Sequence, residues 1–167
     1  MKLRHLIFVL FVLFAFGNCE LDKDEGPPVQ EAITTSQLDN FMFGEWNIKN
    51  IFNLNDSIDL TEDYQDLTLN YSESALSEKT KHYFDFASNI NDQLFPADGW
   101  IYFETQSDYI RSNRATRDDG VLIDFYNLYE NYKSDSILEC ILEINTNLQD
   151  KKAAYEYRII IRRPSSN

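Results

Sequence analysis

Cysteine is nearly absent from this chain: Cys19 and Cys140 are the only two among 167 residues. They could form one bridge at most, so no disulfide framework holds the fold. Histidine is as scarce, at His5 and His82. A zinc site draws on three or four N or S ligands, and this inventory offers no set of that size. A Ser-His-Asp or Cys-His nucleophile system has equally little to work with. His82 alternates with Phe84 and Phe86, which suits partial packing, and Cys140 sits in an apolar run, which suits a small buried hydrophobe. The five glycines do not cluster, so there is no Gly-rich phosphate loop. Carboxylates are plentiful, but spacing singles out no pair for glycoside chemistry. Asp118-Asp119-Gly120 lacks the rest of a calcium loop and is a turn signal. These absences point to a non-enzymatic protein with no cofactor and no bound metal.

Positive charge is also in deficit. Fifteen Lys and Arg face 28 Asp and Glu, for a net charge of −13. Such a surface repels nucleic acid and anionic membrane faces. Long apolar runs are missing too. The longest, Leu6–Phe16, would rise only ~16 Å as a helix, against a hydrocarbon core of ~30 Å.

What is present begins at that run. Lys2 and Arg4 precede it, and Phe16-Gly17-Asn18-Cys19 follows. A basic start, a short apolar stretch and then small or polar residues describe a secretory signal peptide. The cysteine directly behind the run resembles the lipobox of bacterial lipoproteins. Asn18 stands where that motif prefers Gly or Ala. The resemblance implies that residues 1–18 are removed and that the Cys19 thiol carries diacylglycerol. Each buried acyl CH₂ contributes about 0.8 kcal/mol, so two or three chains anchor stably where one does not. Palmitate-type acyl chains would then hold the protein to the membrane. Loss of Lys2 and Arg4 takes the −13 of the whole chain to about −15 in the mature one.

Residues 19–33 form a tether, acidic at Glu20 to Glu25 and stiffened by Pro27-Pro28. Lys23-Asp24-Glu25 resembles the acidic export tag of surface-displayed lipoproteins of the Bacteroidota type; a solvated acidic linker is the alternative. Together these features imply a cell-envelope lipoprotein of the outer membrane, in its surface-exposed form if the tag operates.

Residues 34–163 carry the folded domain, and 164–167 a short tail. Leu38, Phe41 and Met42 fit one or two helical turns, with Ser36 as N-cap and Gly44 as stop. The period then changes to two. Trp46, Ile48 and Phe52 share one parity, as do Leu67, Leu69 and Tyr71, then His82, Phe84 and Phe86. Trp100–Thr105 and Ser107–Asn113 are further strand candidates. Val121, Ile123 and Phe125 follow, then Leu138, Cys140, Leu142 and Ile144, and finally Tyr155, Tyr157, Ile159 and Ile161. Alternation of this kind marks half-buried strands. About eight strands with short links predict a mainly β, antiparallel up-and-down barrel behind a short N-terminal helix, with a β-sandwich as the alternative.

The helix followed by Gly44-Glu45-Trp46 resembles the Gly-x-Trp opening of lipocalin-like domains. That resemblance implies a barrel floor at Gly44 and Trp46, with a basic residue near the last strand packed over the tryptophan; Arg158, Arg162 and Arg163 are the candidates. It also implies a small apolar or amphipathic ligand inside the barrel. The interior parity then assigns Leu67, Leu69, Phe84, Phe86, Tyr155 and Tyr157 as ligand-binding residues. The alternative is a surface-interaction module that binds a protein or glycan partner through exposed tyrosines of Phe125–Tyr132, Tyr129 and Tyr132 above all. Arg111, Arg114 and Arg117 recur every three residues. They either receive an anionic ligand group or sit on a solvated loop, and the loop is the simpler expectation.

Overall fold

A computed structural model of the protein describes residues 32–134, 137–145 and 154–165. The expectations for residues 1–18, Cys19 and the tether up to residue 31 lie outside the described residues.

Helix α1 (Thr35–Met42) opens on a capping box. The Gln37 amide donates to Thr34 Oγ1 at 3.2 Å, and the Thr34 amide donates back to Gln37 Oε1 at 2.9 Å. The N-cap is therefore Thr34 rather than Ser36, because only Thr34 has a Gln three residues on. Leu38, Phe41 and Met42 form the buried face, as the spacing predicts. Ile33, expected in the tether, is fully buried, and its carbonyl accepts from Ile110 N at 2.8 Å. The folded domain thus reaches back by at least one residue.

Gly44 adopts φ +97°, a left-handed conformation open to glycine, and turns the chain into β1 (Gly44–Asn53). The remaining elements are β2 (Ile58–Asp59), β3 (Thr68–Glu73), β4 (Lys81–Ser88), β5 (Asp98–Gln106), β6 (Tyr109–Arg117), β7 (Leu122–Tyr126), α2 (Leu128–Ser134), β8 (Ile137–Asn145) and β9 (Ala154–Arg162). Every strand pairing is antiparallel. Strands β3 to β9 follow one another in order, and β1 pairs with both β3 and β9. Eight strands therefore close into a barrel, and β2 is an extra strand beside the end of β1. Closure removes the sheet edges that an open meander would expose. One continuous closed sheet replaces the sandwich alternative, and the architecture fits a lipocalin-like barrel.

The inward side chains are those of the period-two pattern, with one shift. Between Ile48 and Asn50 the β1–β9 register slips. A bulge of this kind inserts one residue and flips the faces beyond it. Trp46 and Ile48 point inward before it; Ile51 and Asn53 are buried after it, and Phe52 is displaced to a half-buried outer position. Phe52 therefore does not share the face of Trp46 and Ile48.

Two further expectations are corrected. Arg111, Arg114 and Arg117 lie in β6, not on a loop. Arg114 reaches across the outer surface to Asp124 and Glu143, while Arg117 is buried. The Tyr-rich stretch Phe125–Tyr132 does not hold Tyr129 and Tyr132 out to solvent. Asn127 takes φ 51°, its carbonyl accepts from Glu130 and Asn131, and helix α2 follows. Leu128 is fully buried, and Tyr129 and Tyr132 pack half-buried against the core rather than standing exposed.

Both helices and the links 74–80 and 107–108 lie at one end of the barrel, the floor. The links 54–67, 89–97 and 118–121 lie at the other, the mouth. At the floor, Trp46 Nε1 donates to the Met42 carbonyl at 3.0 Å, which ties the first strand to the end of α1. Arg163 covers the tryptophan from outside, with its guanidinium carbon 4.2 Å from the ring centroid. Its Nη1 donates to the Phe43 carbonyl at 2.6 Å, and its Nη2 donates to the Phe41 carbonyl. Of the three arginines considered for this place, Arg163 holds it; Arg158 and Arg162 are exposed.

Candidate functional site: the barrel interior and its plugged mouth

The barrel encloses a cavity of ≈30 Å³, lined by Leu69, Tyr71, Phe86, Phe95, Arg117 and Cys140 among others. One water needs about 10–15 Å³ of such space, so this is room for a water or two, whereas a ligand pocket spans about 300–1,000 Å³. The interior is filled from two sides. Large side chains, Phe103 and Phe84 among them, occupy the half toward the floor. The mouth is filled by the link 89–97.

This link is built to hold its shape. Asp92 Oδ1 accepts from the amides of Leu94 at 2.9 Å and Phe95 at 2.6 Å, and Asp92 Oδ2 accepts from the Tyr64 hydroxyl at 2.9 Å. Ser88 Oγ donates to the carbonyls of Ile90 and Pro96. The segment thereby drives Leu94 and Phe95 into the mouth, where they are 6% and 4% exposed. Tyr64 meets the Phe95 ring edge-on at 5.3 Å, so the long β2–β3 link braces the plug from its far side.

Arg117 latches it from below. Its Nε and Nη2 donate to the two carboxylate oxygens of Asp119 at 2.9 and 2.7 Å, and its Nη1 donates to the Leu94 carbonyl at 2.8 Å. Its side chain is 4% exposed, so this is a cation held almost entirely away from water. Burial opposes ionisation of Asp119, but the Arg117 bonds and charge outweigh it and hold that carboxyl below the usual aspartate range. Deeper in, the Cys140 thiol is pushed up to about 12 by burial, so it is a thiol at neutral pH and no nucleophile. Burial also raises the Tyr71 hydroxyl above its ordinary value, with the Cys140 side chain adding to the shift and Arg117 opposing it.

Outside the plug lies a cleft of ≈390 Å³, lined by Gln93, Leu94, Ile144, Tyr155 and Tyr157. Leu94 thus faces the cleft and Phe95 the inner cavity.

The six residues expected to bind ligand are dispersed along this axis. Leu69 and Phe86 line the inner cavity. Leu67 is buried just before β3. Phe84 lies toward the floor, against Phe43, Phe103 and His82. Tyr157 is half-buried in the outer cleft, and Tyr155 is 42% exposed at the rim, outside the interior where parity assigned it. Gly44 and Trp46 stand at the floor. Sequence reasoning missed Leu94, Phe95 and Tyr71 as site residues, and it named Arg117 only beside Arg111 and Arg114, as an anion receiver or a loop residue. The Pro96-Ala97-Asp98-Gly99 turn signal directs attention away from the two apolar residues just before it. Arg117 differs from Arg111 and Arg114 only through the strand's inward face.

His82 Nε2 lies 2.7 Å from Asp39 Oδ1 and ties β4 to α1. Among the described residues, no group of three or more His, Cys, Asp or Glu is placed to hold a metal ion. No protein-family model, curated protein or solved structure matches this chain.

Proposed function

We propose that this protein is a lipid-anchored lipoprotein of the bacterial cell envelope whose barrel takes a small apolar or amphipathic ligand at its mouth. The anchor is Cys19, the membrane is the outer membrane, and the acidic tether is the segment that favours surface display. The protein acts by binding rather than by catalysis. One observation supports ligand binding above the others: among the described residues, the inner cavity and the tyrosine-lined cleft are lined by adjacent residues of one link between strands, Phe95 and Leu94. Moving that link joins the two spaces without disturbing the barrel wall.

Two measurements test this. Radiolabelled palmitate should enter the wild-type protein and not the Cys19→Ser form, which should leave the membrane fraction. Native mass spectrometry of protein taken from its own membrane should show an added small-molecule mass. Unlabelled protein, or a Cys19→Ser form that stays membrane-bound, would remove the anchor; a bare mass together with no uptake of apolar probes would remove the ligand.

A second function, contact with a protein or glycan, is favoured by a different observation. Tyr83, Trp100 and Tyr102 form a contiguous cluster on the outer wall, with ring centroids 5.4 to 6.0 Å apart. Like Trp100 and Tyr102, Tyr129 and Tyr132 are half-buried, and they lie apart from this cluster, at the floor. Loss of glycan or protein capture in a Trp100→Ala, Tyr102→Ala double variant of unchanged fold would support it.

A further inference from the structure

The polar groups around the inner cavity restrict what a ligand can place there. Arg117 carries five N–H groups, and three are engaged by Asp119 and Leu94. Two remain, on Nη1 and Nη2. Tyr71 lines the same cavity, is 7% exposed, and its hydroxyl makes no hydrogen bond among the described residues. Every other wall is apolar apart from the Cys140 thiol, itself a weak donor. The cavity therefore offers donors and little to accept a hydrogen bond. Donors with spare capacity beside a cavity favour a ligand atom that accepts.

The charge of that atom follows from the neighbours. The Arg117 guanidinium is already neutralised by the bidentate Asp119 carboxylate. A second carboxylate would enter a site with no net positive charge, in a protein of net charge −13. It would lose its hydration without a free counter-charge. An uncharged carbonyl oxygen avoids that loss. It is also of the size that a ≈30 Å³ space accepts.

We infer that the ligand is an amphiphile with an uncharged carbonyl head, such as an acyl ester, whose oxygen sits between Arg117 and Tyr71 while its chain replaces the Phe95 ring and runs into the Leu94–Tyr157 cleft. This inference rests on the ligand-binding function proposed above. It adds a selectivity that a merely greasy barrel would lack: ester over free acid.

Calorimetric titration of the purified protein with methyl decanoate, decanoate and decane at neutral pH tests it. Methyl decanoate should bind at least about tenfold tighter than decanoate. Tyr71→Phe should weaken the ester about 3–10-fold, the worth of one neutral hydrogen bond, and leave decane unchanged. Its melting temperature should hold or rise, because the hydroxyl removed has no partner in the unliganded fold. Decanoate binding as tightly as the ester, or an ester affinity indifferent to Tyr71→Phe, would overturn the inference while ligand binding stood. Failure of all three probes to bind would overturn ligand binding itself.

Discussion

Arg163 lies flat over Trp46, 4.2 Å from guanidinium carbon to ring centroid, and bonds the carbonyls that end helix α1. One side chain therefore joins the last residues of the barrel to its first strand and to its plug of helix. The cation–π contact contributes about 0.5–2 kcal/mol, and each hydrogen bond from a charged donor about 1.5–3. Arg163→Leu should lower unfolding free energy by about 2–4 kcal/mol, read from urea denaturation. Arg163→Lys should recover only part, because an ammonium cannot fork between two carbonyls. An unchanged urea midpoint in Arg163→Leu would show that the floor closes without it.

Gly99 is required by contact rather than by turn geometry. A Cβ there would stand 2.9 Å from the Phe86 ring and 2.7 Å from Asp118 Oδ2. Asp118 is exposed and can swing away, but Phe86 is packed in the cavity wall. We expect Gly99→Ala to destabilise by about 1–3 kcal/mol, in the range of an overpacked core. Pairing it with Phe86→Leu should restore part of the loss; a double variant weaker than the sum of its parts would place the strain elsewhere.

The barrel was legible because closure and alternation are both local signals. Leu67, Leu69 and Tyr71 need only face one way for β3 to be recognised, and short links then leave few topologies. The bulge at Lys49 was not legible, since an inserted residue changes no composition and only the partner strand reveals it. Helix α2 was hidden for a similar reason. Its seven residues carry an aromatic pattern that also suits a strand, and the turn at Asn127 decides the matter. The site was the least legible part. Leu94 and Phe95 sit in a link, and whether a link folds over a mouth or away from it depends on Asp92, Ser88 and Tyr64 acting together.

Phe95 closes the interior, so shortening it should open the interior. Phe95→Ala removes a ring that is 4% exposed and should cost about 3–5 kcal/mol of stability, the range for a buried aromatic. The same variant should bind an apolar fluorescent dye more tightly than the wild type does, because the inner cavity and the Leu94 cleft become continuous. Gln93→Ala, on the same link and exposed, is the matched control and should do neither. A Phe95→Ala protein that remains folded and binds the dye no more tightly than the wild type would show that the plug is not what fills the mouth.

Acid should release the plug through Asp119. Its folded carboxyl lies below the ordinary aspartate value, held there by Arg117 against the opposing effect of burial. A depressed carboxylate contributes stability above its unfolded value, about 3.9, and loses that contribution as pH falls through the lower folded value. Asp119 is 43% exposed, so solvent screens the pair and the effect belongs to the latch rather than to the whole fold. Protonation frees the Arg117 Nε and Nη2, and the guanidinium can then turn away from the Leu94 carbonyl. Dye uptake by the wild type should rise below about pH 4 while circular dichroism still reports a folded barrel. In Asp119→Asn that step should vanish, because the uptake is already raised at neutral pH. Other depressed carboxylates, Asp59 and Glu78, titrate equally in both proteins and cancel from the comparison. Superimposable acid profiles for the two proteins would mean that Arg117 holds Leu94 without help from Asp119.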